Sequence, residues 1–131
     1  MAVAGPPAAV SLHLPSRPDS PMTARHELVE LERSLPPDTM AKLRLLVTEL
    51  VANSVRHAGG TPVEVTVTVH EDCVRAEVSD GGGGFTPPRA GRSRPRTSGW
   101  GLFLVRKIAA RWGADSGTGT VWFELDRATK P

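Results

Sequence analysis

A single cysteine, Cys73, stands in the whole chain. One cysteine excludes an intramolecular disulfide framework and suits a reducing cytoplasm. It falls in a strand pattern, where it reads as an inert thiol rather than a nucleophile. An excess of charge of one sign is also lacking, since 16 Lys and Arg against 14 Asp and Glu leave a formal net charge of only +2 at pH 7. That is too weak to argue for a nucleic-acid partner, and the arginines are scattered apart from a cluster near residues 89–96. The 4 histidines are isolated along the chain, without the spacing of a zinc site. No apolar run approaches membrane-spanning length, and the start of the chain lacks the charged opening of a signal peptide. The expectation is a cytoplasmic protein with no membrane contact and no direct nucleic-acid contact. No internal repeat is visible. With 131 residues, one domain with a real core is expected.

Residues 1–9 read as a frayed tail, and the domain is expected to span 10–126, with a second tail over 127–131. Val10, Leu12 and Leu14 alternate with polar residues and predict a short strand. Ser20-Pro21 reads as a helix start, with serine as the cap and proline at the first helical position. That helix is expected to reach about Ser34, with Met22, His26 and Val29 beside Leu28, Leu31 and Leu35 on a loose apolar side. Pro36-Pro37 stops it, and Asp38 is placed to cap the next helix.

That next helix, Met40 to Gly60, organises the chain. Leu43, Leu46, Val47, Leu50, Val51, Ser54 and Val55 recur at three- and four-residue steps and form a broad apolar stripe. Lys42, Glu49, Asn53 and Arg56 are assigned to the opposite side. Glu49 and Asn53 are one turn apart, about 6 Å along the axis. A carboxylate so placed can accept a proton from a nucleophile, and the amide can offer its carbonyl oxygen to Mg²⁺. A plain solvated helix face is the competing reading of the same residues.

Val63, Val65, Val67 and Val69 alternate with polar residues, as do Val74, Ala76 and Val78, with His70-Glu71-Asp72 turning between them. This predicts an antiparallel hairpin with one buried face. The next residue on the buried row is Asp80, and a carboxylate there needs a hydrogen-bond donor. Four glycines follow, Gly81 to Gly84, and then a Pro-, Arg- and Ser-rich loop to Ser98 that could move. A dinucleotide fingerprint fails here because Gly84 runs into Phe85-Thr86-Pro87-Pro88 rather than a helix, and no P-loop lysine is present. Gly99-Trp100-Gly101 precedes a third helix, expected over Leu102 to Trp112 with Gly113 as its cap. Gly pairs at helix starts suit anion binding, because unpaired N–H groups and the dipole point there, though glycine pairs before helices are common and the pair alone is a weak signal. Ala114 to Ser116 reads as a short strand, and Val121, Phe123 and Leu125 mark the last one. The expected class is α+β: a two-layer sandwich, one mixed, mostly antiparallel sheet of four or five strands covered on one face by three helices.

Glu49-x-x-x-Asn53 on a helix, Asp80-x-Gly82-x-Gly84 after a strand, and Gly99-x-Gly101-Leu102 at a helix start occur in that order. The set resembles the GHKL superfamily of ATP-binding domains, the Bergerat fold, over roughly residues 10–126. Within it, L-L-V-T-E-L-V-A-N-S-V-R-H-A and G-L-F-L-V-R-K-I-A-A-R-W-G are similar to the bacterial anti-sigma-factor serine/threonine kinases. The resemblance implies ATP and Mg²⁺ as cofactors. It implies Asp80 as acceptor of the adenine amino group, and Gly82 and Gly84 as places where the backbone passes close to the nucleotide. Asn53 would coordinate Mg²⁺, Glu49 would be the general base, and Gly99, Gly101 and Leu102 would form the phosphate-binding helix start. Thr120 is similar to a family threonine that helps bind adenine, and residues 85–98 would form the ATP lid.

Some residues depart from that pattern. Trp100 is bulky between two phosphate-binding glycines and is expected to point away from the ligand. His57 and Arg56 sit near the site face without a motif to place them, as do the lid arginines Arg89, Arg92, Arg94 and Arg96. The implied activity is transfer of the ATP γ-phosphate to a partner protein, with a sigma factor or an anti-sigma-factor antagonist as partner and a homodimer as a possible assembly. An ATP-responsive binding module without significant transfer is the alternative. An ATPase domain serving a larger machine is disfavoured, since no transducer, dimerisation or sensor segment is recognisable. Glu49 favours the kinase, because binding alone needs no general base.

Overall fold

The computed structural model describes residues 8–57, 60–80, 100–115 and 117–127. Element order is β1 (Ala9–Leu14), α1 (Ser20–Glu27), a 3₁₀ helix (Leu28–Ser34), α2 (Pro37–His57), β2 (Val63–Val69), β3 (Cys73–Ser79), α3 (Trp100–Ile108), β4 (Arg111–Asp115) and β5 (Thr120–Asp126). The five strands form one sheet in the order β1-β2-β3-β5-β4. All four pairings are antiparallel. This is the expected α+β sandwich, with the sheet antiparallel throughout rather than mixed.

Alternation along the strands builds the core. Val63, Val65, Val67 and Val69 of β2 lie beside Val74, Ala76 and Val78 of β3 and Val121, Phe123 and Leu125 of β5, all buried. Register sets the small Ala76 opposite Phe123, so the one large ring fills space its neighbour leaves. The helices cover this inner face. The outer face keeps the polar alternates, Arg75, Glu77, Trp122 and Glu124 among them, at intermediate exposure.

Several boundaries differ from those the sequence predicts. Ser20 is the first helical residue of α1 and Asp19 is the cap, without a side-chain bond. The Ser20 hydroxyl instead donates to the Pro15 carbonyl. The expected single helix to Ser34 is an α-helix followed by 3₁₀ turns. In a 3₁₀ helix residues three apart eclipse, which sends both Leu28 and Leu31 into the core. Leu35 is then extended, φ −132° and ψ 144°, as a residue before proline prefers. The buried side of this segment is Ala24, Leu28, Leu31 and Leu35, while Met22 and Val29 are exposed.

Helix α2 begins at Pro37, so Asp38 lies in its first turn rather than at its cap. Helix α3 ends at Ile108, and Trp112 and Gly113 belong to β4. Tertiary pairing decides this. Ala110 N–H donates to the Glu124 carbonyl, and the ladder then sets Trp112 opposite Phe123 and Gly113 opposite Trp122. The Trp122 indole lies directly over Gly113, where an added Cβ would sit 2.5 Å from Nε1. The Ala8 carbonyl accepts the Val69 N–H, and the Arg127 side chain donates to the carbonyls of His70 at 2.8 Å and Ser34 at 2.9 Å. No helix among the described residues is long and apolar enough to cross a membrane.

Candidate functional site

Helix α2 is the element on which the site is built. It packs against α1, α3 and strands β2, β3 and β5, so most of its circumference is covered. Leu43, Leu46, Val47, Leu50 and Val51 are fully buried. Asn53 is buried too, at 4 % exposure, and Glu49 is half-buried. Neither stands on the solvated face opposite the apolar stripe. At 3.6 residues per turn, Asn53 lies about 60° around the axis from Leu50 and Glu49 about 100°. They form the shoulder of the stripe, not its back.

The opposite shoulder is marked by Arg44, about 180° from Asn53 by the same geometry. Arg44 pairs with Glu32 of the 3₁₀ helix. A groove of about 550 Å³ on that side is lined by Met22, His26, Val29 and Arg44 among others. It is therefore separate from the Asn53 shoulder, and the sequence motifs do not lead to it.

Asn53 Oδ1 has no hydrogen-bond partner among the described residues. A buried amide oxygen left without a donor costs stability unless a ligand or water completes it. Such an oxygen suits Mg²⁺, a hard cation that takes oxygen donors. No cluster of three or more His, Cys, Asp or Glu side chains able to hold a metal occurs among the described residues. Mg²⁺ is commonly held by one or two protein oxygens together with substrate phosphates and water, and the Asn53 oxygen fits that mode of binding.

Asp80 continues the inner row of β3 one step past Val78, as predicted, and its 0 % exposure withdraws the carboxylate from solvent. Its own N–H donates to the Gly119 carbonyl at 3.1 Å. Asp80 and Asn53 are both buried, the one directly after β3 and the other on α2, and these two elements pack against each other. Thr120 is not on the inner side of the sheet. Val121, Phe123 and Leu125 are the buried row of β5, so alternation turns Thr120 outward, in register with Ser79. The residue of this turn that meets Asp80 is Gly119, buried and with φ +68°. The Gly117-Thr118-Gly119-Thr120 turn carries the sequence signal for it, a glycine directly before the last strand.

Gly101 is the second residue of α3, inside the helix rather than before it, and Leu102 packs against the core from the same turn. Since α3 packs on α2, the helix start and the Glu49–Asn53 pair belong to adjacent elements. Gly82, Gly84, Gly99, the 85–98 segment with its arginines, and the side chains of His57 and Trp100 lie outside the described residues. Arg56 is exposed on α2.

A helix layer covers an antiparallel sheet, a buried carboxylate follows a central strand, and the covering helix carries a buried amide whose Oδ1 has no partner among the described residues. The chain belongs to the histidine kinase-like ATPase domain family, whose model matches residues 14–124. No curated relative matches it. Family membership makes this an ATP-binding domain of a regulatory type.

Proposed function

We propose that the domain binds Mg²⁺–ATP and transfers the γ-phosphate to a serine or threonine of a partner protein, as an anti-sigma-factor kinase does. The observation that carries the reading is the pair on α2: a buried Asn53 whose Oδ1 lacks a partner among the described residues, and a half-buried Glu49 one turn before it. ATP would supply the phosphoryl group, Mg²⁺ when bound would offset the charge of the phosphates, and Asn53 Oδ1 would hold the metal. Glu49 takes the proton from the attacking hydroxyl. Asp80 accepts the adenine amino group, with Gly119 rather than the Thr120 hydroxyl beside it. Gly82, Gly84, Gly99, Gly101 and Leu102 belong to the backbone that meets the nucleotide. Phosphoryl transfer needs mainly positioning and charge neutralisation, with one group orienting or deprotonating the nucleophile. This set of residues matches that division of labour.

The partner in this reading is a sigma factor or an anti-sigma-factor antagonist protein, which would place the protein in the cytoplasm. The test is transfer of label from γ-³²P-ATP to candidate partner proteins encoded nearby. Phosphate on a partner serine or threonine, lost in Glu49→Ala, supports the kinase. Nucleotide binding without label on any partner would replace it with an ATP-responsive binding module.

A further inference from the structure

The turn between β4 and β5 reaches Asp80 through a short chain of bonds. Asp115, the last residue of β4, folds its carboxylate over the turn. Its Oδ1 accepts the N–H of Gly117 at 2.9 Å and that of Thr118 at 3.4 Å. The Thr118 hydroxyl lies 3.1 Å from the Thr120 hydroxyl and 3.5 Å from the Asp115 carbonyl. The turn ends at Gly119, whose φ of +68° is one that side-chain-bearing residues rarely adopt. Its carbonyl then accepts the Asp80 N–H.

We propose that Asp115 is a positioning residue for the base end of the nucleotide site. By fixing the turn it fixes the Gly119 carbonyl and so the backbone of Asp80, and thereby governs discrimination between 6-amino and 6-oxo purines. This rests on the reading of Asp80 as the base acceptor. A 6-amino group donates to a carboxylate, whereas a 6-oxo group meets it lone pair to lone pair. Sites built to bond one substrate group reject analogues lacking it far better than apolar pockets do. The Asp80 carboxylate is only two torsions from its backbone. Because bond strength falls steeply as the angle departs from linear, a loosened backbone weakens the 6-amino contact first. Asp115 is exposed and outside the apolar core, so its replacement leaves core packing alone.

Calorimetric titration with Mg²⁺–ATP and Mg²⁺–ITP, for wild type, Asp115→Ala and Asp115→Asn, tests the proposal. Amide exchange at Asp80 in the nucleotide-free proteins accompanies it. A bond to a charged acceptor predicts that the wild type prefers ATP over ITP by about tenfold or more. Asp115→Ala should weaken ATP while sparing ITP, and so compress that ratio. Asp115→Asn keeps an Oδ1 acceptor and should restore it. The Asp80 amide should exchange faster in the alanine variant alone, at matched global stability. An Asp115→Ala protein with the wild-type ATP/ITP ratio, or with unchanged Asp80 exchange, overturns the proposal. Absence of nucleotide binding in the wild type overturns the Asp80 reading and the specificity claim together. The exchange comparison then still decides whether Asp115 holds the Asp80 backbone.

Discussion

The carbonyl oxygen of Asn53 is buried and has no hydrogen-bond partner among the described residues, whereas Glu49, one turn earlier, is only half-buried. The two should separate under mutation. A general base adds little to nucleotide affinity, so Glu49→Ala should keep ATP binding while losing transfer by ~10²–10⁴-fold, as for other general bases. Asn53→Ala should weaken Mg²⁺-dependent binding and leave metal-free adenine contacts largely intact. Nucleotide affinity with and without Mg²⁺, beside turnover with a partner, checks both. Wild-type turnover in Glu49→Ala would remove Glu49 from the role of base. Both residues were legible in the sequence as a pair on one helix. Their burial was not, because a helical wheel shows which residues share a side but not how many neighbours cover it.

At the scale of elements, β4 shows tertiary structure overriding local pattern. Arg-Trp-Gly-Ala-Asp has little strand character of its own, and strand preference depends heavily on neighbours. The strand is held by its partner. Arg111 donates to Glu124 at 2.6 Å and to Asp126 at 2.8 Å, and Arg75 donates to Glu124 at 3.2 Å from the other side. The Arg75 guanidinium also lies 4.2 Å from the centre of the Trp122 ring. The hydrogen bond from Arg111 is the main cause holding the Glu124 carboxyl below its ordinary range, and Arg75 adds to it against the opposing effect of burial. A carboxyl lowered on folding stabilises the protein above its unfolded value, and that contribution is lost as pH falls through the folded value. Urea unfolding should therefore show Glu124→Gln less stable than wild type at pH 7, with the gap closing as the solution is acidified below about pH 4, the range of an unperturbed glutamate. An equal gap at every pH would detach Glu124 from this linkage. Gly113 makes a second test in the same strand. Gly113→Ala puts a Cβ into the Trp122 indole, and overpacking of this kind typically costs about 1–3 kcal/mol. Chemical denaturation with tryptophan fluorescence would register both the loss and the displaced ring, and an unshifted midpoint would contradict the contact.

For the whole molecule, nucleotide should act as a stabiliser, since a ligand that binds only the folded state adds its binding free energy to folding. At a hundredfold excess over Kd the gain is about 2.7 kcal/mol. Thermal unfolding should rise with Mg²⁺–ATP and rise less with ATP and a chelator, if Asn53 holds the metal. Identical midpoints with and without Mg²⁺ would separate Asn53 from metal binding. The sequence by itself determined the class of fold, the hairpin of β2 and β3, the apolar stripe of α2 and the ordered motifs around Glu49, Asn53, Asp80 and Gly101. Period-2 and period-3.6 patterns are local, so they survive in one dimension. The tertiary structure alone decided that Asn53 is buried, that residues 111–115 join β5, that Gly119 and not the Thr120 side chain faces Asp80, and that Arg127 is anchored. Each depends on which distant segment supplies a neighbour: α2 is covered from several sides, Glu124 recruits Arg111, and strand alternation fixed by Val121 and Phe123 sets the side on which Thr120 falls.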